Sequence, residues 1–212
     1  MKLSQQNNPL PYILIDDFYT EQELKEIWKE LEFINTPEKL SLADNVTSAN
    51  SKTKGVKAIN RRAFIHDIYR NPKFSNIYTI THVNLASKYE EIFKTHKNWF
   101  FNTFTCKYVA QLLSYYENAD YYLSHQDDCY ITMLTWLFKE PKVFEGGELT
   151  FTKEKETIEL KSNRSIIFPS QVYHEVSPLV IPTESINKGM GRYCITTFLD
   201  SVPPHQIDGW QP

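Results

Sequence analysis

The sequence predicts a mostly β fold with flanking α-helices: a double-stranded β-helix (jelly roll, cupin-like barrel) supported by N-terminal helices. Three observations carry this expectation. First, after Lys97 the chain becomes a series of short segments rich in aromatic and branched residues, at about 105–116, 121–127, 130–138, 147–152, 156–160, 164–168, 173–177 and 191–199. Gly146-Gly147, Ser162-Asn163 and Pro169-Ser170 punctuate them as turns. Second, two helical patterns come before these strands, and short strands in series behind helices suit a jelly roll. Third, a chain of 212 residues is long enough to bury one sizeable core. We therefore expect a single domain over 1–212, with helical support at about 20–97 and the jelly-roll core at about 104–200. No internal repeat interrupts this reading.

From the N-terminus, Pro11 to Phe18 reads as a short, largely buried strand. Thr20 with Glu23 three residues on is a capping-box pattern. Leu24, Ile27, Trp28 and Leu31 then recur at helical spacing, so a helix of about three turns is expected to lay that stripe on the core. Between Asn35 and Asn60 the pattern gives way to Ser, Thr, Asn and Lys. A polar stretch of that length beside a barrel is expected to be mobile and to order over the active-site mouth when substrate binds. Asn60 to Ile65 follows as a strand. Asn71-Pro72 is an N-cap with proline at the first helical position. Phe74, Ile77, Tyr78, Leu85, Tyr89, Ile92 and Phe93 fit one broad helical face with a break midway.

Composition narrows the function classes. A net charge of −3 with mixed signs leaves no electrostatic footprint for nucleic acid. Lys52, Lys54 and Lys57 read as a solvated loop. No apolar run approaches the ~20 residues needed to cross a bilayer, and Met1 to Pro9 lacks the apolar core of a secretory signal. Cys106, Cys129 and Cys194 are odd in number and have no CxxC spacing, which suits a reducing compartment. A cytoplasmic protein without membrane or nucleic-acid partners is expected, and the sequons at Asn45 and Asn163 are expected to be unused.

The chemistry gathers in Ser124-His125-Gln126-Asp127-Asp128. Side chains two apart on a strand share a face, so His125 and Asp127 are expected to point together, with Asp128 turned away. His174 in Gln171 to Val176 supplies a third ligand type. Two His and one carboxylate on one face of an octahedral ion leave three positions open, the pattern of non-haem Fe(II) oxygenases. The spacing alone is weak: 6 His and 9 Asp in 212 residues give roughly 0.25 His-x-Asp by chance. Further weight comes from Arg192, which alternation places on one face with Cys194, Thr196 and Phe198. A buried arginine is costly unless an anion neutralises it, and a carboxylate ligand bound bidentately supplies that partner. Tyr116 and Tyr122 precede His125 in one hairpin and offer hydroxyl donors.

These residues carry a family resemblance. Tyr116 to Asp127 resembles the segment leading into the metal site of prolyl 4-hydroxylase-like 2-oxoglutarate/Fe(II) oxygenases. Gly146-Gly147-Glu148-Leu149 is similar to that family's hairpin, Ile166 to Ser170 with His174 to Pro178 to its distal-histidine strand, and Gly191-Arg192-Tyr193 to its 2-oxoglutarate anchor. The match is good over about 105–200 and loose elsewhere. The resemblance implies that His125, Asp127 and His174 bind Fe(II). It implies that Arg192 grips the distal carboxylate of 2-oxoglutarate, with Tyr116 and Thr196 as hydroxyl partners. The cofactor set it implies is Fe(II), 2-oxoglutarate as co-substrate and O₂, with ascorbate as a candidate reductant. The reaction it implies is hydroxylation of an unactivated C–H bond, coupled to oxidative decarboxylation of 2-oxoglutarate to succinate and CO₂.

Three departures stand out. Trp136 occupies a position where several relatives carry tyrosine, which puts a pocket role for it in doubt. The anchor is arginine where many members have lysine. Between His174 and Arg192 lie 192 − 174 = 18 positions, so Ile181 to Met190 is expected to be an extra surface loop. By analogy the first substrate expected is a prolyl or other side chain in a peptide or protein, and the second a free amino acid or small metabolite. The reading from another class is a jelly roll that binds metal or ligand as a sensor without turnover; loss of a ligand or of the arginine would favour it, and neither is lost.

Overall fold

The computed structural model describes residues 1–43 and 58–201. Strand β1 (Lys2–Gln6) pairs antiparallel with β2 (Tyr12–Asp16). Helix α1 (Glu21–Ile34) starts at the predicted capping box, with Glu23 N donating to Thr20 Oγ1 and Thr20 N to Glu23 Oε2. Ile27, Leu31 and Ile34 are fully buried, and Leu24 and Trp28 of the expected stripe pack half-buried against the same core. Two short strands, β3 (Ser41–Leu42) and β4 (Ala58–Ile59), lead into β5 (Arg61–Phe64). The expected Asn35–Asn60 loop is thus edged by strands. Its lid role, the lysine cluster and the Asn45 sequon fall on residues 44–57, outside the described residues.

The second helical region is broken, as its pattern predicts. A one-turn helix α2 (Ile65–Ile68) and a 3₁₀ turn (Pro72–Phe74) precede α3 (Asn76–Ser87), a π-helical turn (Glu90–Lys94) and α4 (Trp99–Asn102). Asn71 caps the 3₁₀ turn by accepting from Lys73 N. Phe74 departs from the expected buried face and is 77% exposed. The reason is local: Phe74 belongs to the tighter 3₁₀ turn, and Ser75 N-caps α3 behind it. The buried carboxylate of Glu30 accepts from Ile77 N at 2.8 Å, setting an acid from α1 against the positive end of α3.

All eight predicted later strands form, with ends trimmed by up to three residues or, in β11 and β13, extended by one: β6 (Tyr108–Tyr116), β7 (Tyr121–His125), β8 (Ile131–Leu137), β9 (Leu149–Phe151), β10 (Glu156–Ile158), β11 (Arg164–Pro169), β12 (His174–Val176) and β13 (Arg192–Asp200). They make two facing antiparallel sheets. The large one runs β1-β2-β11-β8-β13-β6-β5-β3 and the small one β10-β9-β12-β7-β4. Alternation sorts the large sheet's residues between two cores. Ile13, Ile15, Leu113, Met133, Ile167 and Ile195 face the helices. Tyr12, Tyr116, Leu134, Trp136, Phe168 and Cys194 face the small sheet and fill the barrel. Trp136 is fully buried in that interior. Ile181 to Met190 is a surface loop, as expected, apart from the buried Ile181 at its start. The polar strand β1, an edge strand, carries no apolar pattern from which it could be predicted.

A charged clamp joins two strands at the edge of this barrel. Arg164 at the start of β11 forks onto Asp16 at the end of β2, with Nη2 donating to Oδ2 at 2.9 Å and Nε to Oδ1. That guanidinium holds the Asp16 carboxyl below its ordinary range. A carboxyl whose folded-state pKa is depressed stabilises the fold above the unfolded value of about 3.9. The contribution is lost as pH falls through the lower folded value. Asp16→Asn is therefore expected to cost about 1–2 kcal/mol at neutral pH. The gap to wild type should close as pH drops below ~4, as denaturant melts across that range would show.

Candidate metal centre and its cavity

His125 is the last residue of β7 and His174 the first of β12, and the two strands pair with these residues directly opposite. Their rings lie 4.2 Å apart between centroids. Each Nδ1 lies against a carbonyl two residues back, His125 against Leu123 O at 2.8 Å and His174 against Val172 O at 2.9 Å. With Nδ1 donating, Nε2 is the nitrogen that each ring presents to a metal. Both Nε2 atoms face Asp127, at 3.6 Å from Oδ1 for His125 and 3.6 Å from Oδ2 for His174. The three potential ligand atoms lie within 4.8 Å of one another.

Asp127 reaches this position by a route that strand alternation did not anticipate. β7 ends at His125, and Asp127 sits in the loop beyond it. Its backbone N–H donates to Ser170 O at 3.0 Å, and its carbonyl accepts from Gln171 Nε2 at 3.0 Å. Thr132 Oγ1 donates to Asp127 Oδ2 at 2.7 Å. The turn leading into β12 therefore fixes the carboxylate as much as β7 does. Asp128 is exposed and lies outside the cluster. Tyr122 stacks on His125 at 3.6 Å and 13°, and Phe168 sets its ring edgewise to His174 at 5.0 Å.

The cluster opens on a cavity between the sheets, walled by Leu112, Leu134, Val176 and Phe198. Arg192, Cys194, Thr196 and Phe198 all line it, the face predicted for β13. Arg192 is 1% exposed. Its Nη1 donates to Gly147 O at 2.7 Å, its guanidinium lies 4.3 Å over the Tyr116 ring, and its Nε has no partner among the described residues. Gly147 is needed there: its φ is +77°, and an added Cβ would meet Leu179 at 2.7 Å. Burial pushes the Tyr116 hydroxyl up to about 12, against the pull of Arg192 and Arg62, so it remains a neutral donor. Thr196 shares the cavity, but its hydroxyl contacts Cys194 Sγ at 3.9 Å rather than Arg192. Trp136 does not line the cavity; Leu134 represents its strand there.

Two polar lining residues escaped the sequence reading, besides the apolar Leu112, Leu134 and Val176. Ser114 and Arg62 stand opposite one another on β6 and β5, both pointing inward. The signal for Arg62 was present. Ala63 and Ile65 are the apolar partners of the helix-side core, so alternation turns Arg62 into the barrel.

The donor set suits a divalent first-row ion with open positions: two imidazoles and one carboxylate that is itself hydrogen-bonded. His174→Ala is expected to abolish tight Fe(II) binding while the barrel stays folded. Thr132→Val, which removes the bond to Asp127 along with the hydroxyl's contacts to Ser170 Oγ and Cys129 Sγ, is expected to weaken it by about 10-fold. Anaerobic metal titrations checked by circular dichroism measure both, and wild-type affinity in His174→Ala would remove this residue from the site.

Residues 110–200 match the family model of the 2OG-Fe(II) oxygenase superfamily. No curated protein matches the sequence. Among solved structures, a Pseudomonas putida prolyl-4-hydroxylase is similar at 14% identity, over 92% of this chain and 95% of that one, with a TM-score of 0.62. A prolyl hydroxylase from Trichoplax adhaerens, solved with a hypoxia inducible factor oxygen degradation domain peptide fragment, aligns at 15% identity, 97% and 89% coverage and a TM-score of 0.65. A 2OG-Fe(II) oxygenase family oxidoreductase from Burkholderia pseudomallei gives 11%, 89%, 84% and 0.59. At such identities the likeness is one of fold. The family match covers the part of the chain that carries His125, Asp127, His174 and Arg192, and it is this part that is similar to the 2OG-Fe(II) oxygenase superfamily.

Proposed function

We propose that this chain is a 2-oxoglutarate- and Fe(II)-dependent dioxygenase that hydroxylates an unactivated C–H bond. The overall balance is one substrate C–H, 2-oxoglutarate and O₂ consumed, with the hydroxylated product, succinate and CO₂ formed. The observation that carries this reading is Arg192. It is buried without a carboxylate partner among the described residues, in the same cavity as His125, Asp127 and His174. A guanidinium held that way needs an anion, and a dicarboxylate that chelates at the metal end can bring its far carboxylate to it.

The roles proposed for the chain's own residues follow from that placement. His125, Asp127 and His174 hold the ion, which when bound supplies the O₂ activation and C–H oxidation. Gly147 O and the Tyr116 ring keep the Arg192 fork in place, so the co-substrate meets an oriented donor. The neutral Tyr116 hydroxyl adds a donor without competing charge. Leu112, Leu134, Val176 and Phe198 keep water from the reacting atoms. Thr196 is kept as a further hydroxyl toward the co-substrate.

For the primary substrate, a prolyl or other amino-acid side chain is proposed, in a peptide or as the free amino acid. Among the described residues no helix is long and apolar enough to cross a membrane. We place the protein in the cytoplasm, where thiols such as Cys106, Cys129 and Cys194 stay reduced, with ascorbate as a reductant that keeps the iron divalent.

Arg192 also gives the test against a metal-binding sensor without turnover. Arg192→Met is expected to raise the KM for 2-oxoglutarate at least ~10-fold, since a charge-assisted contact is worth on the order of 2 kcal/mol. Fe(II) affinity should barely change. Arg192→Lys should fall between the two, keeping charge but not the fork. Succinate release from 2-oxoglutarate, with and without candidate substrates, reads all three proteins. Unaltered 2-oxoglutarate dependence in Arg192→Met would make the arginine structural and remove the support for this co-substrate.

A further inference from the structure

The cavity holds a second buried cation that the proposed co-substrate does not account for. Arg62 is 1% exposed, as buried as Arg192. It faces Ser114 across β5 and β6, and Ser114 faces Cys194 across β6 and β13. These three form one rung on the inner face of the large sheet, and Tyr116 and Arg192 belong to the next rung on that face. The strands of the two arginines are separated by β6, two interstrand steps of roughly 4.8 Å each. The two forks therefore enter the cavity from different strands.

Among the described residues, no acid pairs with Arg62. Its Nε donates to the buried Asn60 Oδ1 at 2.8 Å, and its guanidinium lies 4.6 Å over the Tyr122 ring. That ring is the one stacked on His125, so the cation stands one aromatic layer from the metal cluster. Its Nη2 is buried without a hydrogen-bond partner among the described residues. Among the described residues lining the cavity, Asp127 is the only acid, against Arg62 and Arg192. That leaves one positive charge in excess, 2 − 1 = 1. A divalent ion and a doubly charged 2-oxoglutarate cancel each other, so the excess persists in the loaded site. A buried, unpaired guanidinium is expensive, and an anion arriving with the substrate would satisfy it.

We propose that Arg62 is the recognition point for a carboxylate on the primary substrate. The substrate is then a small acid, a free amino acid or a chain-terminal residue, rather than an internal residue of a protein. This rests on the oxygenase reading above and narrows it. A stacked guanidinium whose outer edge is open is built for a bidentate oxygen ligand, and its place beside the Tyr122–His125 stack would hold that ligand against the metal end of the cavity.

The test is calorimetric, without oxygen and with Mn(II) in place of Fe(II). 2-Oxoglutarate is titrated first, then a panel of free L-amino acids, their carboxamides, and dipeptides ending in the same residues. At least one acid is expected to bind the loaded protein, with its amide at least ~10-fold weaker. Arg62→Met should bring the acid down to the level of the amide while 2-oxoglutarate still binds, and Arg62→Lys should restore part of the difference. Binding of dipeptides as well as free acids assigns the carboxylate to a chain terminus; binding of free acids alone assigns a free amino acid. The proposal is overturned by a panel in which no acid binds, by acids and amides binding alike, or by undiminished acid binding in Arg62→Met. Loss of 2-oxoglutarate binding in a folded Arg62→Met protein overturns it too, since Arg62 would then serve the co-substrate. The acid–amide contrast in wild type stands without any variant. Failure of wild type to bind 2-oxoglutarate would sink the oxygenase reading, a result seen before any acid is added.

Discussion

The register of β7 against β12 is the constraint on which the site depends. Placing His174 opposite His125 brings two imidazoles together from positions 49 residues apart, 174 − 125. A slip of one residue would turn one ring out of the barrel. Both rings are further held by Nδ1 contacts to backbone carbonyls two residues back, so the orientation of each is set by local chain geometry once the strands are paired. The turn before β12 then receives the loop after β7 through Ser170 and Gln171. One strand pair thereby places all three candidate ligands.

That strand pair is held in place by the large sheet. Central strands β8, β13 and β6 put apolar residues on the helix side and a mixed set on the barrel side. Helices α1 and α3 cover the first face, so the second is free to carry polar groups without leaving the domain short of a core. Arg192, Tyr116, Arg62 and Ser114 all occupy this second face. Their burial would be a net cost in an empty barrel, since a guanidinium out of water is stabilised only by a well-placed partner. The cation–π contacts to Tyr116 and Tyr122 offset part of it. A barrel of this kind gains stability when anions bind, which couples its folding to its ligands.

Much of the architecture was legible in the chain. The eight later strands, the capping box at Thr20, the break in the second helical region and the inward face of β13 all follow from local periodicity and turn chemistry. What escaped has local causes too. β1 is a polar edge strand; β3 and β4 are two residues each, too short for any period to show. Phe74 matched the spacing of a helix face but lies in the 3₁₀ turn ahead of α3, where that spacing does not hold.

The sequence by itself determined which residues could form the site, because His125, Asp127, His174 and Arg192 are of the types that metal and carboxylate chemistry require, on segments whose alternation aims most of them inward. Only the tertiary structure decided how they meet. Asp127 joins the histidines through hydrogen bonds to Ser170, Gln171 and Thr132, distant in sequence except for Thr132, and no strand period encodes such contacts. Arg62 enters the same cavity because β5 pairs with β6. The charge of that cavity is a sum over strands that the chain brings together only on folding, so a local pattern, which reports one strand at a time, cannot contain it.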